Sequence, residues 1–335
     1  MGSPVLHERL VLGSLEELLA DADKPVPMET SGKSGARLER VQIRGESHVV
    51  KHLDLEADWT LRAAGIAGGA VVVLWRRGIL HALPDQLVQP IVAVAHDPAD
   101  PDVSVLLMRD VGEHLVPVTD DVVPLAQHEA FMDHMAAMHA AFWEAGQAID
   151  VVPPLLRYLE LSPSMAAAEA ARGSEHLVPK LVAQGWPLLA EVAPTAARVV
   201  VPLAHDPAPL VTALDRTPQT FVHGNWKLDN LGTDQAGRTI VLDWELPGRG
   251  AALSDLAWYL ALNCRRLPTS KEQAIATYRD ALERHGVDTD AWWDTQLRLS
   301  LLGGLVHFGW EKALGGYDDE LAWWEEQAVR AQPLL

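Results

Sequence analysis

The residues whose types could do chemistry are concentrated in one stretch, residues 219–245. A polar loop there contains His223, Asn225, Lys227 and Asn230, and a later β-branched run ends on Asp243. The amide oxygen of Asn230 and the carboxylate of Asp243 are hard oxygen donors of the kind that Mg²⁺ prefers. Asn225 can accept a hydrogen bond, but an amide cannot take up a proton at neutral pH. These groups fit phosphoryl transfer, which needs metal ligands, cations and a group that orients the attacking hydroxyl.

The spacing of these residues is itself informative. The loop reads His223-Gly224-Asn225, then four residues, then Asn230, and Asp243 opens a short Asp-Trp-Glu motif. This pattern resembles the catalytic loop and metal-binding segment of the protein-kinase-like superfamily, and most of all the aminoglycoside phosphotransferase family of small-molecule kinases. That family has an aspartate where this chain has Asn225. The alternative interpretation is an ordinary β-hairpin with polar turns.

The resemblance implies a role for each of these side chains. Asn230 and Asp243 would hold the Mg²⁺ ions that bridge the phosphates of a bound ATP or GTP. Lys227 would contact the transferring phosphate, and His223 would support the loop from beneath. The implied function is an ATP-dependent O-phosphotransferase of a small metabolite or antibiotic, with its catalytic positions at His223, Asn225 and Lys227.

The departure at Asn225 leaves several interpretations open. It could be an engineered change that traps a substrate complex, a natural feature of a pseudokinase, or a change tolerated because the acceptor is acidic enough to need no base. Asp229, four residues further on, is a conceivable substitute. Removal of a general base commonly lowers a rate by ~10²–10⁴, so we expect weak residual transfer. The rival function is a nucleotide-binding pseudokinase, or a repurposed kinase-fold protein without phosphoryl transfer.

Two upstream segments match nucleotide-binding parts of the same family. Ser31 and Gly32 open a small-residue turn, residues 31–35, where kinase relatives place the loop that covers the phosphates. The turn lacks the Walker A spacing, and a plain hairpin turn is the alternative. Lys51 lies in the apolar strand predicted at residues 47–53 and resembles the superfamily's phosphate-clamping lysine. A lone lysine in a strand, however, commonly protects a sheet edge.

The glutamate that normally pairs with this lysine is not evident in the sequence. Glu56 is the nearest candidate, but it follows Lys51 by only five residues. In the helix predicted for residues 69–83, the expected position near Val71 falls in a wholly apolar run, residues 71–75. The partner of Lys51 therefore stays open, and two departures favour the pseudokinase interpretation more than one does.

Residues 106–112 closely resemble the hinge of these kinases. By this resemblance the Arg109 carbonyl and the Val111 N–H would meet the edge of a purine, with Met108 against its ring. A simple interdomain linker is a compatible alternative. We therefore predict a nucleotide-binding N-lobe over residues 1–113 and a C-lobe over residues 114–335 that carries the catalytic loop, the metal site and the acceptor pocket.

Composition limits the remaining function classes. The 335 residues carry 46 acidic and 27 basic side chains, a formal charge of −19, which argues against nucleic acid and suits solubility or a cationic small-molecule acceptor. The single cysteine, Cys264, excludes a disulfide framework and favours the cytoplasm. No stretch has the form of a signal peptide or a membrane span, so we expect no membrane partner. The chain is expected to be a monomer or a homodimer.

The helical elements complete the prediction. A helix over residues 124–145 is expected to bury one face, formed by Phe131, Met135, Met138 and Phe142. Ser254 and Asp255 are expected to cap a helix over residues 256–263, and Asp255 also matches a family aspartate that braces the catalytic loop.

The C-terminal third is rich in acids and tryptophan. Residues 287–327 hold nine acids, two bases and five of the twelve tryptophans. In the resembling family such helices wall the acceptor pocket, where a cation would find ion pairs and cation–π contacts; ordinary helix packing is the alternative. The predicted fold class is α+β, a bilobal protein-kinase-like fold with a small antiparallel β-rich N-lobe and a larger, mainly helical C-lobe.

Overall fold

The computed structural model describes residues 4–28, 33–66, 69–96 and 103–335. The predicted α+β architecture is confirmed, since an antiparallel sheet fills the N-terminal region and helices dominate the remainder. The N-terminal elements are α1 (Leu15–Leu18), β1 (Val26–Pro27), β2 (Arg37–Ile43), β3 (Glu46–Asp54), α2 (Trp59–Ala64), α3 (Ala70–Arg76), β4 (Leu87–Val88), β5 (Ile91–His96) and β6 (Val103–Arg109).

The N-terminal sheet positions Lys51. Its five strands lie in the order β1-β2-β3-β6-β5, and every neighbouring pair is antiparallel. Successive side chains of a strand point to opposite faces, so Lys51 shares a face of β3 with Leu53. Leu53 belongs to the main hydrophobic core, whereas Val50 belongs to a separate cluster on the other face. Lys51 therefore projects towards the body of the protein.

The rest of the chain is built from ten helices and four short strands within the described residues. In chain order they are α4 (Leu125–Ala141), α5 (Pro154–Leu159), α6 (Pro163–Ala171), α7 (Leu177–Val192), α8 (Pro194–His205), α9 (Ala208–Leu214), β7 (Thr220–Val222), β8 (Leu231–Thr233), β9 (Thr239–Val241), β10 (Gly248–Gly250), α10 (Ala252–Leu262), α11 (Lys271–Arg284), α12 (Trp293–Leu314) and α13 (Asp319–Ala331). The long helix α12 packs against α7, α10 and α13. The face predicted for α4 is confirmed, because all four of its large apolar side chains are fully buried.

Two small sheets position the polar loop. Strand β7, which leads into His223, pairs antiparallel with β10. Strands β8 and β9 form an antiparallel hairpin, and β4 from the N-terminal region joins β9 in parallel. Asn230 immediately precedes β8, and Asp243 follows β9 by two residues. Because the two strands are antiparallel neighbours, the start of one lies beside the end of the other, which brings Asn230 and Asp243 together.

Three details differ from the sequence-based expectations. Helix α3 ends at Arg76 rather than near residue 83, and a separate 3₁₀ turn over Ile79–His81 follows. The predicted cap is wrong: α10 begins at Ala252, so Ser254 and Asp255 lie inside its first turn. The packing alternative holds for Trp293, Trp310 and Trp324, which are buried among the C-terminal helices. Among the described residues, no helix is both long enough and apolar enough to cross a membrane.

Candidate functional site

The polar loop is held from below by Asp255 of α10. The Asp255 carboxylate accepts hydrogen bonds from the backbone N–H groups of His223 (2.7 Å) and Gly224 (2.8 Å), and it lies 3.2 Å from His139 Nε2. Burial alone would raise the pKa of Asp255, but the hydrogen bond to His139 and the backbone donors lower it overall. Asp255 is thus a charged brace for the loop, as the resemblance implied, rather than a helix cap.

Gly224 is required by the close approach of the chain that follows Asp243. Its φ is +77°, and a Cβ atom at this position would lie 2.2 Å from the backbone oxygen of Leu246. An L side chain would therefore meet both an unfavourable backbone conformation and a steric clash. The glycine fixes how tightly the loop packs on the segment that carries Asp243.

His223 is a buried structural residue. Its Nε2–H donates to the Leu242 carbonyl (2.9 Å), and its Nδ1 accepts from the Asn225 backbone N–H (3.1 Å). Burial lowers the pKa of His223, which keeps the ring neutral, and the two partners fix the tautomer with its proton on Nε2. His223 therefore connects the loop to the end of β9, and both ring nitrogens are committed.

Asn225 lies beside Asn230 at the end of this network. The Asn225 backbone carbonyl accepts a hydrogen bond from Asn230 Nδ2 (3.0 Å). The side-chain oxygen Oδ1 of Asn225 is buried and has no hydrogen-bond partner among the described residues. A buried polar atom without a partner is costly, so this oxygen is suited to receive a donor from a bound molecule.

Asp243 is held next to Asn230 by the backbone. The Leu242 N–H donates to the Asn230 carbonyl (2.9 Å), and Asp243 itself has a left-handed backbone conformation with φ of +57°. Few residues other than glycine adopt this conformation, although aspartate tolerates it better than most. Such local strain commonly marks a functional position, and here it turns the Asp243 side chain towards Lys51.

Lys51 binds two carboxylates at once. Its Nζ lies 2.9 Å from Asp243 Oδ1 and 2.7 Å from Glu245 Oε1. Burial would lower the pKa of Lys51, but the two carboxylates outweigh it and raise the pKa. Burial would likewise raise the pKa of Asp243, but the Lys51 ammonium lowers it overall. Lysine and aspartate are thus held as an ion pair at neutral pH.

The partner of Lys51 that the sequence left open is Glu245. Neither expected position supplies it: the Glu56 side chain lies exposed in an ion pair with Arg172 (2.7 Å), and Val71 is buried in the core. Glu245 follows Asp243 by two residues, so the Asp-Trp-Glu motif contained the missing carboxylate. Lys51 therefore does have a carboxylate partner, so the apparent lack of one in the sequence no longer favours a pseudokinase.

The sequence-based predictions also missed two residues at the start of α2 beside this ion pair, Asp58 and Thr60. Thr60 Oγ1 lies 2.6 Å from Asp58 Oδ1 and 3.1 Å from Glu245 Oε2. Asp58 caps α2 by accepting from the backbone N–H of Thr60 (2.9 Å), while its second oxygen, Oδ2, is buried without a partner among the described residues. An aspartate before an apolar helical stretch is a capping signal that could have identified Asp58.

A third missed residue is Glu160, which follows the last residue of α5. Glu160 is buried, and its Oε2 has no hydrogen-bond partner among the described residues. Burial raises the pKa of Glu160 to about 8, and the nearby carboxylates of Glu245 and Asp58 add to the rise against the opposing effect of Lys227. Nothing in the local sequence signals that Glu160 lies in these surroundings, because its spatial neighbours are far away along the chain.

The remaining residues of the predicted catalytic loop differ in exposure. Lys227 is half-buried, and it lies near enough to Asp243, His223 and Glu160 to influence the pKa of each. Asp229 is exposed in the 3₁₀ turn over Leu228–Asn230. The structure therefore brings Lys227 to the polar cluster and leaves the conceivable substitute Asp229 facing solvent.

The predicted purine-binding residues lie at the end of β6. Met108 is half-buried against the main core, and the Arg109 backbone N–H donates to the Pro90 carbonyl (3.0 Å). Val111 precedes a 3₁₀ turn over Gly112–His114. The turn is held by Asp110, whose carboxylate accepts from Ser47 Oγ (2.9 Å), Arg40 Nε (3.0 Å) and the Gly112 N–H (3.2 Å). The predicted phosphate-covering residues Ser31 and Gly32 lie outside the described residues.

The donor set at the end of the hairpin fits a magnesium ion that also binds phosphate. Asp243 offers a carboxylate, and Asn230 offers its amide oxygen because its amide nitrogen is occupied by Asn225. No group of three or more His, Cys, Asp or Glu side chains with metal-binding geometry occurs in the part of the chain that the structure describes. A site with so few protein ligands suits Mg²⁺, which keeps several waters and takes substrate phosphates as ligands.

Comparisons with known proteins identify the fold. No family model matches the sequence, and none of the curated proteins matches it. Among solved structures, a thermostable mutant of the aminoglycoside phosphotransferase APH(4)-Ia in a ternary complex with ADP and hygromycin B matches with a TM-score of 0.51 at 14% identity, covering 96% of this chain and 97% of that chain. Choline kinase LicA from Streptococcus pneumoniae matches with a TM-score of 0.51 at 11% identity, covering 96% and 98%. At such identities the likeness is one of fold.

Proposed function

We propose that this chain, which has the bilobal protein-kinase-like fold of small-molecule kinases, is an ATP- or GTP-dependent O-phosphotransferase that acts on a small molecule. The observation that carries the proposal is the convergence of Lys51, Asp243 and Asn230 beside the loop of residues 223–230. These residues come from both parts of the molecule, and together they offer the ammonium group and the oxygen ligands that phosphoryl transfer requires.

In this proposal each side of the cleft has its own task. Met108, Arg109 and Val111 receive the purine, and Lys51 contacts the nucleotide phosphates. Asn230 and Asp243 would hold Mg²⁺, which would neutralise charge on the phosphates. Lys227 lies close enough to Asp243 and Glu160 to act electrostatically on both, which supports a contact with the transferring phosphate.

Asn225 orients the hydroxyl that attacks. Its buried Oδ1 has no partner among the described residues, so a hydroxyl that donates to this oxygen satisfies it and is fixed in position. Orientation by a bound group supplies part of the rate enhancement of such enzymes. Asn225 cannot accept the proton of that hydroxyl, and the proton therefore goes to another group.

The acceptor in this proposal is a small cationic metabolite or antibiotic. The chain has a formal charge of −19, and the carboxyl groups of Asp58 and Glu245 lie on either side of Thr60 next to Lys51, so the cleft attracts positive charge. The fold neighbours are a choline kinase and a phosphotransferase that holds hygromycin B, which makes choline and hygromycin B suitable probes. We further propose a cytoplasmic monomer or homodimer, divided near residue 114.

Thermal unfolding with and without Mg-ATP is the first test of the proposal. A ligand at a hundredfold excess over its Kd adds about 2.7 kcal/mol of stability, which raises the Tm of a protein this size by several degrees. Asp243→Asn is the matched control, because the neutral side chain is nearly isosteric and should lose the Mg²⁺-dependent part of the shift. Absence of any shift at millimolar ATP or GTP would contradict nucleotide binding altogether.

The second test is Asn225→Asp, with ADP release and ³¹P NMR of the product as readouts. Restoring a carboxylate at this position should raise phosphoryl transfer to the probes, by at most the ~10²–10⁴ that a general base contributes. Asp229→Asn should leave the rate unchanged, since that side chain is exposed.

The amide at position 225 also favours a second candidate, a nucleotide-binding pseudokinase. That candidate wins if wild type and Asn225→Asp both bind nucleotide and neither transfers phosphate.

A further inference from the structure

Glu160 is a buried carboxyl group in the cleft that the mechanism so far leaves without a role. The residue is only 6% exposed, and its Oε2 is buried with no hydrogen-bond partner in the described part of the chain. A buried polar oxygen without a partner lowers stability by an amount comparable to a lost hydrogen bond. Titratable groups kept in such surroundings occur preferentially at functional sites, so Glu160 calls for a functional explanation.

The pKa of Glu160 is influenced by charged residues of both the ion pair and the polar loop. Glu160 acts electrostatically with Glu245, which binds Lys51, with Asp58 at the start of α2, and with Lys227 of the polar loop. Helix α5, which ends just before Glu160, packs against α2, α12 and β10 among others. Of the charged and titratable side chains on those three elements, Arg62 pairs with Glu169, Arg249 with Asp215, and Lys312 with Glu311 and Glu320, while His307 stacks on Tyr158.

Other carboxylates near the loop are already committed. Asp243 and Glu245 bind Lys51, Asp255 accepts the backbone N–H groups of the loop, and Asp58 Oδ1 caps α2. Asp229 is exposed. Glu160 is the carboxyl of this cluster for which no hydrogen bond to either side-chain oxygen is observed within the described residues, so it is free to take part in a proton transfer.

We propose that Glu160 accepts the proton of the attacking hydroxyl, in place of the carboxylate that Asn225 replaces. The inference rests on the proposed phosphotransferase function. The hydroxyl oxygen forms a bond to the γ-phosphorus, the bond from that phosphorus to the β,γ-bridging oxygen breaks, and ADP leaves with the electron pair. The hydroxyl proton passes to Glu160 Oε2, and the neutral carboxylic acid then returns it to water.

The raised pKa of about 8 is compatible with this role. A general base works best when its pKa lies near the operating pH, because the carboxylate is then present in part and is basic enough to bind the proton. The fraction of carboxylate rises as the pH rises through 8. Phosphoryl transfer by the wild-type protein should therefore increase with pH over this range.

The titration itself can be tested without any substrate. Glu160 has a pKa of about 8 in the folded protein against an ordinary value of 4.5, so the folded state binds more protons between these values. Stability must therefore fall as the pH rises through this window. Glu160→Gln removes this contribution, and the Tm of the variant relative to wild type should increase from pH 5 to pH 8. Glu191→Gln, which replaces an exposed glutamate, is the matched control, and its Tm difference from wild type should not change with pH. If the Tm difference of Glu160→Gln is equally independent of pH, the proposal is overturned.

The catalytic test is a comparison of Glu160→Gln in two backgrounds, with water, choline and hygromycin B as acceptors. In the wild-type background the variant should lower kcat by ~10² or more, abolish the rise with pH, and keep the Tm shift with Mg-ATP. In the Asn225→Asp background, where a base is restored, Glu160→Gln should have little effect. A merely structural role would lower kcat equally in both.

Each outcome of this comparison decides between the two proposals. If Glu160→Gln keeps the wild-type kcat and pH profile, or if only the Asn225→Asp protein transfers phosphate, the role of Glu160 is overturned while the phosphotransferase function stands. If no variant shows a Tm shift with Mg-ATP, the proposed function fails first and the role of Glu160 fails with it. Partial recovery of kcat by Glu160→Asp would support a role for the carboxylate itself.

Discussion

The two sides of the cleft differ in how completely their polar groups are paired. On the phosphate side, defined by Lys51, Asp243 and Glu245, the ammonium lies 2.9 Å and 2.7 Å from its two carboxylates. We call Asn225, Glu160 and Asp58 the hydroxyl side. One buried side-chain oxygen of each lacks a hydrogen-bond partner within the described residues: Asn225 Oδ1, Glu160 Oε2 and Asp58 Oδ2. The charges of the phosphate side are paired, whereas the hydroxyl side lacks hydrogen-bond donors.

This difference indicates what each side is built to meet. A buried ion pair with good geometry holds its groups in place before a ligand arrives, which is how preorganised electrostatic sites work. Buried oxygens without donors are instead improved by a molecule that brings O–H or N–H groups, because each new hydrogen bond removes a desolvation cost. The proposed substrates divide in the same way, since a nucleotide polyphosphate brings negative charge and a hydroxyl-bearing cation brings donors.

The largest effect is expected from removing the cation of the phosphate side. Lys51→Ala leaves Asp243 and Glu245 facing each other without a counter-charge, and loss of one partner from a buried pair costs about 3–5 kcal/mol. We expect a loss of this size in the free energy of unfolding by urea titration, together with loss of the Tm shift with Mg-ATP.

The control for this prediction is a lysine whose ion pair lies at the surface. Lys180 pairs with Glu175, and their side chains are 46% and 87% exposed, so Lys180→Ala should cost less than about 1 kcal/mol. Equal effects of the two substitutions would mean that the Lys51 pair contributes no more than a surface pair, and the contrast between the two sides would be lost.

Most of the phosphate side was readable from the sequence together with Asn225, whereas Glu160 and Asp58 of the hydroxyl side were not. His223, Asn225, Asn230 and Asp243 lie close together along the chain, where fixed spacing carries information. The pairs of Lys51 with Asp243 and Glu245 span 192 and 194 residues, and no local pattern announces such a contact. The family pattern supplied Lys51 and Asp243, but it directed the search for a glutamate to the N-terminal helices.

Residues of the hydroxyl side were missed because their roles arise only on folding. Glu160 follows a short helix whose sequence gives no sign of which groups will surround it. Asp58 was missed in the same way, because its link to Glu245 through Thr60 joins residues that lie far apart along the chain. In both cases the residue type was visible in the sequence, and the partner was decided by tertiary packing.

The second prediction concerns the brace beneath the loop that both sides share. Asp255→Ala removes the acceptor of two backbone N–H groups, those of His223, which is buried, and Gly224, which is partly buried. A fully buried donor left unpaired costs about 1–3 kcal/mol and a partly buried one costs less, so we expect a loss of about 2–4 kcal/mol in the free energy of unfolding. The lowered pKa of Asp255 gives the pH dependence: its contribution is present above the ordinary pKa of the carboxyl and is lost as the pH falls through the lower folded-state value.

Asp294→Ala is the matched control for the brace, because Asp294 also lies in the first turn of a helix but is exposed. It should change the free energy of unfolding by less than about 0.5 kcal/mol. If Asp255→Ala were as mild, or if its effect did not shrink as the pH falls below the ordinary pKa of a carboxyl group, the carboxylate would not be what holds the loop.

The smallest effect is expected at Thr60, which lies where the two sides meet. Thr60 Oγ1 lies within hydrogen-bonding distance of Asp58 on one side and Glu245 on the other. Thr60→Val keeps the shape of the side chain and removes only the hydroxyl, so we expect a loss of about 1 kcal/mol. A double-mutant cycle of Thr60→Val with Glu245→Gln measures the link between the two sides. A coupling of about 0.5 kcal/mol or more is expected for residues in direct contact, whereas strict additivity would show that the two sides of the cleft are energetically independent.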